Sequence, residues 1–327
     1  MADAARRPFE RRGRLSADSP LVGSLREGDE GFDPRPDELE LPDRAPEPEA
    51  QPDPRSLSRL IPAPESDRQI DDWGRSEAAF RLAEPFLNFY YRYWFRVDLQ
   101  DVENVPSSGG ALLVANHSGA LPPDAPMIMH GIRTEHSDPR PVYMLGEHWF
   151  KGYPGVGMIT NKIGLVAAHP ANAQRLLRDE GRLALVFPEG QKGSRKLYWQ
   201  RYKLRRFGRG GFVRTAIRAG VPIVPVAVVG AEESMPIFAH MSALQRLTGL
   251  LYFPITPTFP HLGLAGFLGY LPAKFKIRFL EPVPTDQWGD EPWQDRGLIQ
   301  TVADEIRGRV QEELIDMLAH RRSVWFG

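Results

Sequence analysis

Short apolar runs alternate with amphipathic stretches from Asp98 onward, and this alternation sets the expected architecture. The runs at Ala111 to Ala115, Pro141 to Leu145, Gly164 to Ala168, Arg182 to Phe187, Val221 to Val229 and Phe275 to Leu280 are short and rich in Val, Ile and Leu. Each is predicted to be a strand of a buried sheet. Helical patterns lie between them at Asp124 to Gly131, Ala171 to Glu180 and Gly211 to Ala219, with a last helix from about Asp295 to His320. Strands alternating with helices predict an α/β fold: a mixed, largely parallel central sheet flanked by helices.

Upstream the pattern changes. Residues 1 to 70 are dense in Pro, Asp, Glu and Arg and poor in aromatic and β-branched side chains, so they cannot bury enough apolar surface to offset chain entropy. They are predicted to be a disordered tail, with one folded domain over residues 71 to 327. Order is expected from near Trp73. Glu77 to Val97 reads as an N-terminal aromatic helix, broken or kinked at Pro85, whose rings cover more than one face and are punctuated by Arg81, Arg92 and Arg96. Rings with peripheral guanidinium groups suit a membrane interface, and one face can equally pack on the core.

Charge and cysteine usage narrow the class. The net charge of -1 is uneven: residues 1 to 70 hold 16 acidic against 11 basic side chains, leaving 26 against 30 in the rest, so the folded part is mildly cationic. The chain has no cysteine, which excludes disulfides and thiolate metal sites, and its start lacks the apolar stretch of a secretory signal, so a cytoplasmic setting is expected. Leu247 to Ala273 is uncharged and mostly apolar, but Pro254, Pro257, Pro260 and Pro272 make one spanning helix a poor reading. A surface-bound or partly embedded stretch fits better, with Phe253, Phe259, Leu262 and Phe267 as candidate acyl-chain or membrane contacts; core packing is the bland alternative.

Two strand ends carry candidate chemistry. Asn116-His117 follows the first strand directly, and Asp124 is placed at the start of the next helix behind Pro122 and Pro123. A carboxylate there can accept an imidazole N–H, fix the tautomer and leave the other nitrogen to take a proton from a hydroxyl. A satisfied structural histidine shows the same spacing more often, so the pair alone decides little. The second strand end is Phe187-Pro-Glu-Gly190. Gly190 lets backbone N–H groups turn toward a ligand, while Glu189 can anchor the loop or contact a substrate hydroxyl. From Gln191 to Ala231 there is no Asp or Glu but there are ten Lys and Arg. Of these, Lys192, Arg195 and Lys196 are placed to clamp a phosphate, and the later ones to face anionic lipid or simply solvent.

In order, these blocks resemble the glycerolipid acyltransferase superfamily, of the 1-acylglycerol-3-phosphate (lysophospholipid) acyltransferase type. The resemblance runs over roughly Phe86 to Pro284 and rests on Asn116-His117 to Asp124, Lys162-Ile-Gly-Leu-Val-Ala167, Phe187-Pro-Glu-Gly190 and Val221-Pro-Ile-Val-Pro-Val226. It implies transfer of an acyl group from an acyl-CoA or acyl-carrier-protein thioester to a hydroxyl of a lysophospholipid-like acceptor. It implies no metal, cofactor or covalent enzyme intermediate. By position His117 would be the general base and Asp124 its partner, with Glu189, Gly190, Lys192, Arg195 and Lys196 binding the acceptor and its phosphate. Six residues separate His117 from Asp124 where the family usually has four, so this loop must bulge. The second block lacks the family's Arg, with His169 following Ala168, and Gln191-Lys192 stands where Thr-Arg is common.

The aromatic helix at 77 to 97 and the cationic run together predict peripheral association with the inner face of a membrane bearing anionic lipids. The sequence has no Gly-x-Ser-x-Gly elbow, no Walker or dinucleotide fingerprint, no metal-ligand spacing of histidines and no aromatic module for single-stranded nucleic acid. Two competitors keep some of these features: a non-catalytic binder of anionic lipid, and a thioesterase that uses water in place of the acceptor.

Overall fold

The computed structural model describes residues 70–118, 123–146, 156–248, 253–267, 269–288 and 291–327; apart from Ile70, the expected tail lies outside these. Helix α1 (Glu77–Asn88) opens on Ser76, whose hydroxyl accepts the Ala79 N–H at 3.3 Å, and passes through Pro85 into a π-helical turn at Phe89–Trp94. The expected break at Pro85 does not occur. Pro85 is exposed, and the change of geometry falls four residues later, at Phe89–Trp94.

The strands follow as β1 (Asp98–Gln100), β2 (Ala111–Ala115), β3 (Val142–Gly146), β4 (Leu165–Ala167), β5 (Leu183–Val186) and β6 (Ile223–Val229). Two short strands, β7 (Ala239–His240) and β8 (Pro254–Ile255), pair with each other, and β9 (Lys276–Phe279) returns to the main sheet. Seven strands lie in the order β1-β9-β6-β2-β5-β3-β4. The five from β6 to β4 are mutually parallel, and β9 joins β6 antiparallel with β1 parallel to β9. The sheet is therefore mixed and largely parallel. β2 and β6 are buried at every residue, as expected of strands covered on both faces.

Side-chain alternation divides the core into two layers. Ala111, Leu113 and Ala115 of β2 pack with Tyr91, Phe95 and helix α2 (Asp124–Glu135), through Ala125, Ile128 and Ile132. Leu112 and Val114 point the other way. There they meet Val213 and Ile217 of the helix Gly211–Ala219 and Ile299, Val302 and Ile306 of the last helix, Arg296–Ala319. That last helix is capped by Asp295, which accepts the Gly297 and Leu298 N–H groups, and it buries a stripe at three- and four-residue spacing that continues through Val310, Leu314 and Met317. Each such aliphatic side chain contributes about 1.5–3 kcal/mol on burial.

The placement of the two motifs follows from one pairing. β2 and β5 are adjacent and parallel, Val114 opposite Val186, so Asn116-His117 and Phe187-Pro-Glu-Gly190 leave the sheet side by side at its carboxyl edge.

Candidate active site

Asn116 fastens the first strand end. Its side-chain amide donates to the Val228 carbonyl at 3.0 Å and accepts the Val228 N–H at 2.8 Å, so the backbone before His117 is tied to β6. The His117 ring stacks on Phe187, centroids 4.4 Å apart, and its Nδ1 lies 3.4 Å from Asp124 Oδ2. Asp124 is fully buried. Oδ2 also accepts the Ser118 N–H at 3.1 Å and the Ser118 hydroxyl at 3.0 Å, while Oδ1 takes the Ala125 N–H at 2.8 Å. A carboxylate acceptor assigns the proton to Nδ1, which leaves Nε2 with the lone pair a general base needs. Ser118 is committed to Asp124 and is not poised beside the imidazole as a nucleophile. The structure thus brings the two predicted side chains together; the connecting residues Gly119 to Pro122, where a bulge was expected, lie outside the described residues.

Glu189 occupies the space between the two strand ends. Oε1 accepts the His117 N–H at 3.0 Å, and Oε2 accepts the Arg205 N–H at 2.7 Å. Lys196 Nζ stands 3.4 Å from Oε2, and on its other side 2.7 Å from Glu232 Oε1, whose second oxygen accepts the Tyr202 N–H at 3.1 Å. The three charged side chains are buried. Burial raises the Glu232 carboxyl to about 7 although the Lys196 ammonium pulls it down, and the Glu189 carboxylate adds to the rise. Gly193 lets this knot close: a Cβ there would stand 2.7 Å from Glu189 Cβ and 2.9 Å from His117 Cβ.

Outside the knot a cleft of about 900 Å³ is lined by Pro188, Glu189, Gly190, Gln191, Lys192, Arg195, Arg205, Arg206, Gly208 and Arg209. Lys192 and Arg195 stand in its wall, and Gly190, at φ 55°, forms its turn. Lys196 does not. Two carboxylates hold its ammonium inside the protein, which corrects its expected place among the acceptor cations. Glu189 spends its oxygens on two backbone N–H groups and that ammonium, so its geometry is that of the loop anchor.

A separate apolar cavity of about 110 Å³ lies between α1, α2 and the β3–β4 edge, lined by residues including Phe80, Leu87, Ala125, Met129, Met144 and Leu165. The stretch expected to supply acyl contacts is placed differently. Phe253 and Phe259 are buried against each other, centroids 4.8 Å apart, and are core rather than surface contacts. Leu262 is exposed, and the side chain of Phe267 lies outside the described residues. Exposed rings occur instead on α1 and its π turn, at Phe86, Phe89 and Tyr93. Among the described residues no helix is long and apolar enough to cross a membrane, and no three His, Asp or Glu side chains gather as a metal site.

A family model for acyltransferases matches residues 96–229, the segment that holds both strand ends and the cleft. This chain belongs to the acyltransferase family. An uncharacterized protein of Mycobacterium tuberculosis is 38% identical over 84% of this acyltransferase and 78% of its own length. One of Mycobacterium leprae is 42% identical over 75% of this chain, which spans 66% of that relative. A Gallus gallus protein named "DGAT1/2-independent enzyme synthesizing storage lipids" is 26% identical over 60% of the chain and 54% of its own. Among solved structures, the 1-acyl-sn-glycerophosphate (LPA) acyltransferase PlsC from Thermotoga maritima aligns with a TM-score of 0.47 at 20% identity, covering 76% of this chain and 83% of that one.

Several residues that build the candidate site escape the sequence reading: Asn116 as a strand clamp, Phe187 as the ring under His117, Gly193 as the point of closest approach, and Glu232. The last had a signal. Glu232 and Glu233 are the acids that end the acid-free run, and they take up Lys196, Arg201 and Arg321.

Proposed function

We propose that this acyltransferase moves a fatty acyl group from an acyl-CoA or acyl-carrier-protein thioester to the hydroxyl of a lysophospholipid-like acceptor. The observation that carries the reading is the His117–Asp124 pair at 3.4 Å, anchored through Glu189 to the wall of a basic cleft. In this scheme His117 Nε2 takes the acceptor's hydroxyl proton as its oxygen attacks the thioester carbonyl, and Asp124 steadies the resulting imidazolium; the C–S bond then breaks, and the departing thiolate takes that proton from Nε2 and leaves as the free thiol. A thioester is already activated, so alignment and proton removal account for most of what the protein must supply. Lys192 and Arg195 hold the acceptor's phosphate. The exposed rings of α1 and the π turn, with Leu82 and Arg92 beside them, rest on the cytoplasmic face of a membrane that carries anionic lipids.

The test incubates the protein with mixed acyl-CoA and a panel of lysolipids and identifies new esters by mass. His117→Ala is expected to lower ester formation about 10²–10⁴-fold while the thermal melt stays cooperative. Full activity in a folded His117→Ala protein discards the mechanism. Free fatty acid in place of ester makes the protein a thioesterase, and salt-sensitive lipid binding with no thiol released makes it a non-catalytic binder.

A further inference from the structure

The cations of the acid-free run divide between two basins. One is the cleft at the Glu189 turn. The other, of about 480 Å³, is lined by Arg206, Arg209, Arg214 and Arg296, with Ile299 and Gln300 beside them, and it shares Arg206 and Arg209 with the first, so the two adjoin. Four guanidinium groups around one concavity repel one another, yet among the described residues no carboxylate pairs with Arg209, Arg214 or Arg296. Arg206 donates to the Gln300 side-chain oxygen, at 2.7 Å. The acids at the start of the last helix are engaged elsewhere: Asp295 accepts the Gly297 and Leu298 N–H groups, and Asp304 accepts from Gln300 Nε2 and stands 3.7 Å from Arg307.

The backbone adds to the same sign. The nine-residue helix Gly211–Ala219 begins in this basin behind Gly210, a left-handed residue with no side chain to cap the first N–H groups, and Gly211 itself lines the wall. The last helix, by contrast, has its own carboxylate cap. An uncapped helix start facing unpaired guanidinium forks is a place for a multiply charged anion with several oxygens. The volume is that of a nucleotide-sized group set into the surface, which a flat bilayer headgroup layer fills less well.

We infer that this basin is a second phosphate subsite, distinct from the cleft at the Glu189 turn, and that it holds the phosphate groups at the adenosine end of a coenzyme A thioester donor. The inference rests on the proposed use of a thioester. It assigns one phosphate-binding basin to each substrate. A lipid headgroup presents the same phosphate chemistry, and the experiment separates the two sources.

Calorimetric titration of the full chain with adenosine 3′,5′-bisphosphate reads the subsite without turnover, and flotation with phosphatidylcholine vesicles containing phosphatidylglycerol reads the lipid source. The triple variant Arg209→Gln/Arg214→Gln/Arg296→Gln is compared with Lys203→Gln/Arg218→Gln/Arg322→Gln, which removes the same charge from exposed positions outside the basin. The expected result is nucleotide binding weakened at least ten-fold by the basin triple and little changed by the control. Loss of vesicle binding in the basin triple alone, with no nucleotide bound by the wild type, keeps the phosphate subsite and assigns it to lipid. Equal effects of the two triples on both probes, or no effect of the basin triple on either, overturns it. Because no probe is a substrate, failure of the His117 mechanism leaves this result standing, and the reverse holds.

Discussion

Lys196 and Arg209 come from one acid-free stretch of sequence and end in opposite circumstances. Lys196 is buried between Glu189 and Glu232, with an oxygen of each within 3.4 Å, and Arg209 stands exposed in the basic cleft with no carboxylate partner among the described residues. The difference shows that the sign of a run does not decide what its members do. A compact ammonium that can donate in three directions suits the gap between two carboxylates, while planar guanidinium forks left unpaired at the rim suit a phosphate. The interior charges serve the shape of the loop that carries His117. Arg209, Arg214 and Arg296, exposed and without an ion pair among the described residues, are left to serve a ligand.

The sharpest way to break this comparison is to treat Lys196 as if it were a rim cation. Lys196→Met leaves Glu189 and Glu232 buried and facing each other with no cation between them, and removing one partner of a buried ionic cluster costs about 3–5 kcal/mol. Urea unfolding of the full chain checks this. A loss under about 1 kcal/mol, within the ordinary range for exposed pairs, would place Lys196 with the rim group. Glu189 also accepts the His117 N–H, so ester formation is expected to fall with stability in this variant.

The second effect, smaller, reads the same knot through pH. Glu232 has an ordinary value of 4.5 and is raised by burial to about 7 in the folded protein, so the folded state holds its proton more tightly than the unfolded state does. Its contribution to stability is fully present below about 4.5 and is lost as pH rises through about 7. The shift sets an upper bound on the order of 3 kcal/mol, and for a domain this size each kcal/mol moves the melting temperature by about 2–4 °C. The melting temperature of Glu232→Gln relative to wild type should therefore rise between pH 5 and pH 7. A difference that stays flat over that window would mean that Glu232 keeps its ordinary value beside Lys196.

What could be read in advance divides along the same line. The helix Gly211–Ala219 was legible to the residue because glycines bracket it and its apolar positions keep a helical period; β2 was legible because five apolar residues end at a polar pair. His117 and Asp124 were legible because strand ends and helix starts leave local marks. The antiparallel return of β9 was not, since direction leaves no trace in the period of a four-residue strand. Nor was the burial of Lys196: its partner Glu232 is 36 residues away and meets it only in the folded chain. Phe253 and Phe259 misled for a related reason. An uncharged stretch reads the same whether it lies on a surface or stacks ring against ring inside.

The smallest expected effect sharpens the comparison from the rim side. Arg209→Gln/Arg296→Gln removes two exposed guanidinium groups that make no ion pair among the described residues, and such surface changes usually stay within about 0.5 kcal/mol. The sign is informative. If these groups only repel each other, their removal relieves the repulsion, and stability at low salt should rise slightly, with the gain shrinking as salt screens the charges. In saturating adenosine 3′,5′-bisphosphate the order should reverse, because a ligand that binds only the folded state adds stability that grows with the logarithm of its affinity, so the wild type gains more than the variant. Melting curves at two salt concentrations, with and without the nucleotide, separate the two cases. A loss of several kcal/mol in the absence of ligand would show the rim arginines to be structural after all, and the contrast with Lys196 would vanish.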